Sequence, residues 1–360
     1  MISSEVWGEV DGGPVNLWHL TTDTAIGPMR IAVADYGATL QTFVVPDATG
    51  IATDIVLGYD TLGEYIAGDA YFGAIAGRYG NRIRNGQAAI DGTEHQLDCN
   101  EGGNHLHGGR AGFDRKLWQG TVGDDGDTLI FDLISPDRDM GFPGRLIIRV
   151  TYRLTTAGGL EIEMTARTDR PTLCNPVQHS YFNLAGEGNI LAQIATFNSA
   201  FYTPVDGDLL TTGEIRAVAD TPFDFRKPKP IGRDLLAATS KSDAGGAGYA
   251  GYDHNLILGH AGPDGLRDCT TVLCPSNGLG LTLRTTEPGC QFYTGGHLSP
   301  AVTGKSNRPL VLFAGFTLET QVFPCAPQFS HFPSAILCKE QTYRHVMSFQ
   351  VFHEDAVVVF

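Results

Sequence analysis

Residues able to move a proton or hold a polar ligand gather in short stretches set among glycine and aromatic residues. Gly77-Arg-Tyr-Gly-Asn-Arg-Ile83 carries Arg82, whose guanidinium can fork onto two hydroxyls, beside Asn81, which can both donate and accept. Asn104-His-Leu-His-Gly-Gly109 holds His105 and His107 at alternate positions, so on a strand both would turn to one side. That spacing suits a metal site as well as a ligand-binding histidine. His179 lies in Asn175-Pro-Val-Gln-His-Ser-Tyr-Phe-Asn-Leu184, among aromatic residues and hydrogen-bonding groups. With an ordinary pKa of about 6.5, imidazole can give and take a proton near neutrality. Asp253, in Gly251-Tyr-Asp-His-Asn255, can accept from hydroxyls, although taken alone it reads better as an Asx turn. In Gly315-Phe-Thr-Leu-Glu-Thr-Gln-Val-Phe-Pro324, Glu319 interrupts an apolar, strand-like run that begins Leu310-Val-Leu-Phe313. Burial raises the pKa of such a carboxylate and makes it a general-base candidate. Gln291, in Pro288-Gly-Cys-Gln-Phe-Tyr293, adds another side chain able to bind hydroxyls.

The elements that must position these residues read as strands. Residues 29–35, 40–45, 129–134 and 146–154 are rich in β-branched and aromatic types, and 160–166 alternates apolar with polar. Turn signals such as Asp91-Gly92, Asp125-Gly126 and Asp206-Gly207 separate them, and Thr156-Ala-Gly-Gly159 predicts a hairpin over 152–166. Helical periodicity is confined to 62–66 and 232–238. No strand–helix alternation supports a doubly wound sheet, so the pattern predicts an all-β sandwich or barrel. Residues 239–251, rich in Gly, Ala and Ser, read as a mobile surface loop rather than a linker, which leaves one domain over 1–360.

Composition narrows the partners. The chain has 360 residues, a net charge of −15 and 18% charged residues, against the clustered Lys and Arg that a nucleic-acid partner needs. No run of 18 apolar residues predicts a membrane span, and the N-terminus lacks the basic-then-apolar pattern of a secretory signal. Seven scattered cysteines without a C-x-x-C pair predict free thiols and a cytoplasmic protein.

Together the motifs resemble, in order, those of the aldose 1-epimerase (galactose mutarotase) family: Gly77-Arg-Tyr-Gly-Asn-Arg-Ile83, Leu106-His-Gly-Gly109, His179-Ser-Tyr-Phe-Asn-Leu184, Gly251-Tyr-Asp-His-Asn255, Pro288-Gly-Cys-Gln-Phe-Tyr293 and Leu318-Glu-Thr-Gln321. The resemblance runs from about Gly37 to the final strands. It implies a large antiparallel β-supersandwich with few short helices and a sugar site in a cleft on its concave face. It implies that the protein interconverts the α and β anomers of a free aldose, with Glu319 as general base and His179 as general acid. Asn81, Arg82, His107, Asp253 and Gln291 then fall on sugar-binding positions, with Ser180 and Tyr181 nearby. The reaction implied needs no metal and no other cofactor, and the expected assembly is a monomer or homodimer. The chain departs from the family pattern at Cys325, Gln328 and Gly296, which leaves the preferred sugar open.

Two other readings use the same residues. A cupin-type metal isomerase would ligate through His105 and His107 with Glu319 or His179, but no glutamate follows His107 at the short spacing such sites use. A phosphorylated or otherwise modified sugar on the same scaffold would call for extra cations, for which Arg110 and Arg115 are candidates.

Overall fold

The computed structural model describes residues 1–238 and 251–354, so the predicted loop at 239–251 lies, but for Gly251, outside the described residues. The five predicted strands fall in Gly27–Ala34, Thr39–Pro46, Thr128–Ser135, Leu146–Thr155 and Gly159–Thr168. The last two pair in register up to Thr155 opposite Gly159, which closes the predicted hairpin. α-Helix is confined to Leu62–Ala67 and Leu235–Ala238 among the described residues. The first starts at a capping box, where the Thr61 hydroxyl accepts from the Glu64 N–H and the Glu64 carboxylate accepts from the Thr61 N–H. No helix among the described residues is long and apolar enough to cross a membrane.

Three large antiparallel sheets make the architecture, with small two-stranded ladders between them. A five-stranded sheet runs in chain order from Ile2–Val10 to Ala52–Asp54. A nine-stranded sheet has the hairpin just described and the long strand Tyr343–His353 at its middle. A six-stranded sheet carries, in spatial order, Tyr181–Phe182, Phe316–Gln321, Gly289–Tyr293, Asp253–Leu258, Ser199–Thr203 and Arg216–Ala217.

The nine- and six-stranded sheets share one apolar cluster, which includes Ile162, Met164, Leu256, Phe292, Phe316, Leu318 and Phe349. Phe182 meets Phe349 with ring centroids 5.3 Å apart, and Phe197 meets Phe292 at 4.9 Å. Side chains alternate across a strand. With Phe316, Leu318 and Phe292 turned to this core, Thr317, Glu319 and Gln291 must stand on the opposite face of the six-stranded sheet.

One predicted element differs. The apolar run at Leu310 does not lead continuously into the strand that bears Glu319, which begins only at Phe316. Phe313 adopts a left-handed backbone, with φ of +61°, and the chain turns there. Val311 and Leu312 are therefore left 41% and 45% exposed while Leu310 and Phe313 are buried, a pattern no strand produces.

Candidate active site

The polar face of the six-stranded sheet collects side chains by register. Glu319 lies opposite Gln291, and Gln291 lies opposite Asn255, so a row of polar groups crosses three strands. Asp253 stands two residues from Asn255 on the same face and accepts a 2.6 Å hydrogen bond from Gln291 Nε2. Gln291 Oε1 in turn accepts from Gln321 Nε2 at 3.3 Å. Loops from distant parts of the chain cover this face. One is the small ladder that pairs His105 with Ile83 and Leu106 with Arg82.

Glu319 is almost fully buried. Its Oε1 accepts from the Thr317 hydroxyl at 2.8 Å and lies 3.5 Å from His179 Nε2. Its Oε2 has no hydrogen-bond partner among the described residues, nor has His179 Nδ1. Burial pushes the carboxyl pKa up to about 8; Asp253 adds to the rise, while the Thr317 hydroxyl and Arg82 oppose it. Burial pulls the His179 imidazole down to about 4. Between these limits the pair holds one proton. The neutral carboxyl beside neutral imidazole and the carboxylate beside imidazolium differ only in the position of that proton across a 3.5 Å gap.

Aromatic rings enclose the imidazole. The rings of His107, Tyr181 and Tyr71 lie 5.0, 5.2 and 5.5 Å from that of His179. His107 Nδ1 accepts the Asn81 backbone N–H at 3.2 Å, which leaves Nε2 to carry the ring proton as a donor. Burial holds this imidazole neutral, and His179 and Arg82 reinforce the effect. Asn81 spends its side-chain oxygen locally, accepting the Arg82 N–H at 2.8 Å. Burial raises the Asp253 carboxyl, against the pull of Arg82 and of its bond from Gln291. Ser180 faces a separate network, its hydroxyl accepting from Gln178 Nε2 at 2.6 Å.

The Arg82 fork lands on a carboxylate. Nε donates to Glu101 Oε2 at 2.6 Å and Nη2 to Glu101 Oε1 at 2.5 Å. Glu101, Thr317 and Tyr71 are not among the residues expected from sequence. Thr317 was open to discovery, because a residue two positions before a site carboxylate shares its strand face. Glu101 stands in a polar, Gly-rich loop before the histidine pair, which is a weak signal, and nothing singles out Tyr71.

The histidine pair separates. The strand that holds His105 ends at Leu106, and His107 takes a left-handed backbone with φ of +49°, so the alternation that would align the two rings is broken. His105 instead bonds the Asp98 carbonyl through Nδ1 at 2.7 Å and packs edge-on against Phe142. Among the described residues, the group of donors close enough to share a metal is His107, His179 and Glu319, whose atoms lie within 4.8 Å of one another. The two further arginines are engaged as well. Arg110 pairs with Asp98, and Arg115 donates to the Ile66 and Gly68 carbonyls at 3.1 and 2.9 Å.

Comparison with known proteins gives this geometry a context. The aldose 1-epimerase family model matches residues 20–350. The galactose mutarotase of Bos taurus is 37% identical over 353 residues, covering 97% of this chain and 98% of the bovine protein. The aldose 1-epimerase of Haemophilus influenzae is 33% identical over 331 residues, covering 91% and 92%. The crystal structure of an aldose epimerase homologue from C. elegans superposes with a TM-score of 0.83 at 27% identity, over 94% of this chain and 99% of that one. A family match of this extent, with relatives above 30% identity along nearly their whole length, makes this chain a member of the aldose 1-epimerase family.

Proposed function

We propose that the protein is a mutarotase, interconverting the α and β anomers of a free aldose by general acid–base ring opening and closure. The observation that carries this reading is the buried His179–Glu319 pair, with reactive atoms 3.5 Å apart. Glu319 takes the proton from the anomeric hydroxyl and His179 delivers one to the ring oxygen. The bond from C1 to the ring oxygen breaks, and C1 becomes the aldehyde carbon. Rotation about C1–C2 presents its other face, and closure reverses both proton transfers. The anomeric and ring oxygens share one carbon, so an acid and a base this close together can serve both. His107, through Nε2–H, and Arg82, Asn81, Asp253 and Gln291 would hold the sugar, with Tyr181 as a wall beside His179. The protein would act as one cytoplasmic domain spanning 1–360, as a monomer or homodimer.

Polarimetry on freshly dissolved α-anomers of several aldoses tests the reading. Acceleration of the drift to equilibrium, proportional to enzyme, is expected; an unaltered rate with every aldose would overturn it. The three-donor set His107, His179 and Glu319 keeps a metal-dependent reading open to test. A metal would occupy the same imidazole and carboxylate that move protons, so dialysis against a strong chelator should leave turnover unchanged. Loss of activity restored by one divalent ion would move these residues to ligation.

A further inference from the structure

The Arg82 guanidinium acts on both site carboxylates, Glu319 and Asp253, and it is already paired with Glu101. Glu101 occupies it through two hydrogen bonds of 2.6 and 2.5 Å, the fork geometry that gives such pairs their strength. The Glu101 carboxylate is built into place. Its backbone N–H donates to the Asn104 carbonyl at 3.1 Å and its carbonyl accepts the Asn104 N–H at 2.8 Å, across a tight turn at Gly102-Gly103. Its side chain is 36% exposed against 9% for Arg82, so it stands on the outer side of the pair.

The charge around the site follows. Arg82 favours the ionised form of Asp253, and Glu101 opposes it. On the framing loops, Arg84 pairs with Asp206 at 2.8 Å and Arg110 with Asp98. A neutral sugar loses nothing by entering such a field. A uronate or a sugar phosphate brings a negative charge toward Asp253 and Glu101, with the Arg82 cation already neutralised.

We infer that Glu101 is a specificity-determining residue: by neutralising the Arg82 guanidinium at the edge of the site, it admits neutral aldoses and turns away anionic ones. This rests on the proposed mutarotase reading and deepens it. Glu101 positions Arg82, and its effect is electrostatic, so it must show in the ratio of kcat/KM for an anionic sugar to that for a neutral one. A merely structural role would lower both alike.

The experiment compares galactose with galacturonate at neutral pH and low salt, using the wild-type protein, Glu101→Gln and Glu101→Asp. The wild type should strongly prefer galactose. Glu101→Gln keeps a hydrogen-bonding side chain but removes the Glu101 charge from the guanidinium, and should raise the galacturonate-to-galactose ratio by roughly tenfold, chiefly through KM, as one unit charge at ~6 Å does between protein-surface and aqueous dielectric. Added salt should shrink the gain, and Glu101→Asp should restore most of the preference. A wild-type protein inactive on every neutral aldose sinks the mutarotase reading and this inference with it. A wild-type protein that turns over galactose sinks this inference alone in either of two cases: it handles galacturonate equally well, or Glu101→Gln leaves the ratio within about twofold.

Discussion

The hairpin Leu146–Thr155 with Gly159–Thr168 and the strand pair Gly289–Tyr293 with Phe316–Gln321 obey the same alternation, with opposite consequences. In the hairpin, Leu146, Ile148, Val150 and Tyr152 enter the core while Arg149 and Arg153 reach water. There Arg149 pairs with Asp132 at 2.8 Å and Glu163 with Arg344 at 2.9 Å, both in the open. In the site strands every residue is buried. Their polar face meets loops bearing Arg82, His107 and His179 instead of solvent. Water screens the charges of the first region, so those contacts contribute little. Loss of water in the second displaces the pKa of Glu319 upward and that of His179 downward. Chemistry belongs to the face whose polar groups were denied solvent.

The contrast breaks most visibly at the acid–base pair. Glu319→Gln and His179→Ala should each lower kcat by about 10²–10⁴-fold, with circular dichroism and the thermal midpoint showing an intact fold. Near wild-type kcat in either variant would place the two regions on an equal footing.

Next in size is sugar binding. Arg82→Ala and Asp253→Ala each remove charge-assisted hydrogen bonds worth about 1.5–3 kcal/mol, so KM should rise by one to two orders of magnitude. Unchanged KM and kcat would put those side chains outside the cleft.

The pH profile sharpens the comparison. Activity needs the single proton that the pair holds. It should fall as pH rises through about 8, where the carboxyl loses that proton and no acid remains. It should fall again as pH drops through about 4, where the imidazole gains a second proton and no base remains. A flat kcat/KM between pH 3 and 9, measured by polarimetry corrected for the uncatalysed rate, would show that these groups do not titrate as a buried pair.

The smallest effect is expected on the solvent side. Glu163→Gln should change unfolding free energy by less than about 1 kcal/mol in denaturant titration, and kcat not at all. A larger loss would mean that the hairpin's outer face is less well solvated than its exposure indicates.

Much of this was legible in residue types alone, because period-two alternation is a local property. The strands at 29–35, 40–45, 129–134, 146–154 and 160–166, the hairpin turn at Thr156-Ala-Gly-Gly159 and the short helix near Leu62 all followed from neighbours along the chain. So did the motifs that carry the family resemblance. What the tertiary structure decided is non-local. Register across three strands sets Gln291 opposite both Glu319 and Asn255, with Asp253 diagonal to it, and a separate loop brings His179 to the same carboxylate. The Arg82 fork closes on Glu101, nineteen residues away, where no spacing rule would send it. Left-handed backbone at His107 and Phe313 parts the two histidines and ends the apolar run before the site strand. Residue type gives no warning of either, because packing from distant segments, not local preference, holds a side-chain-bearing residue in that conformation.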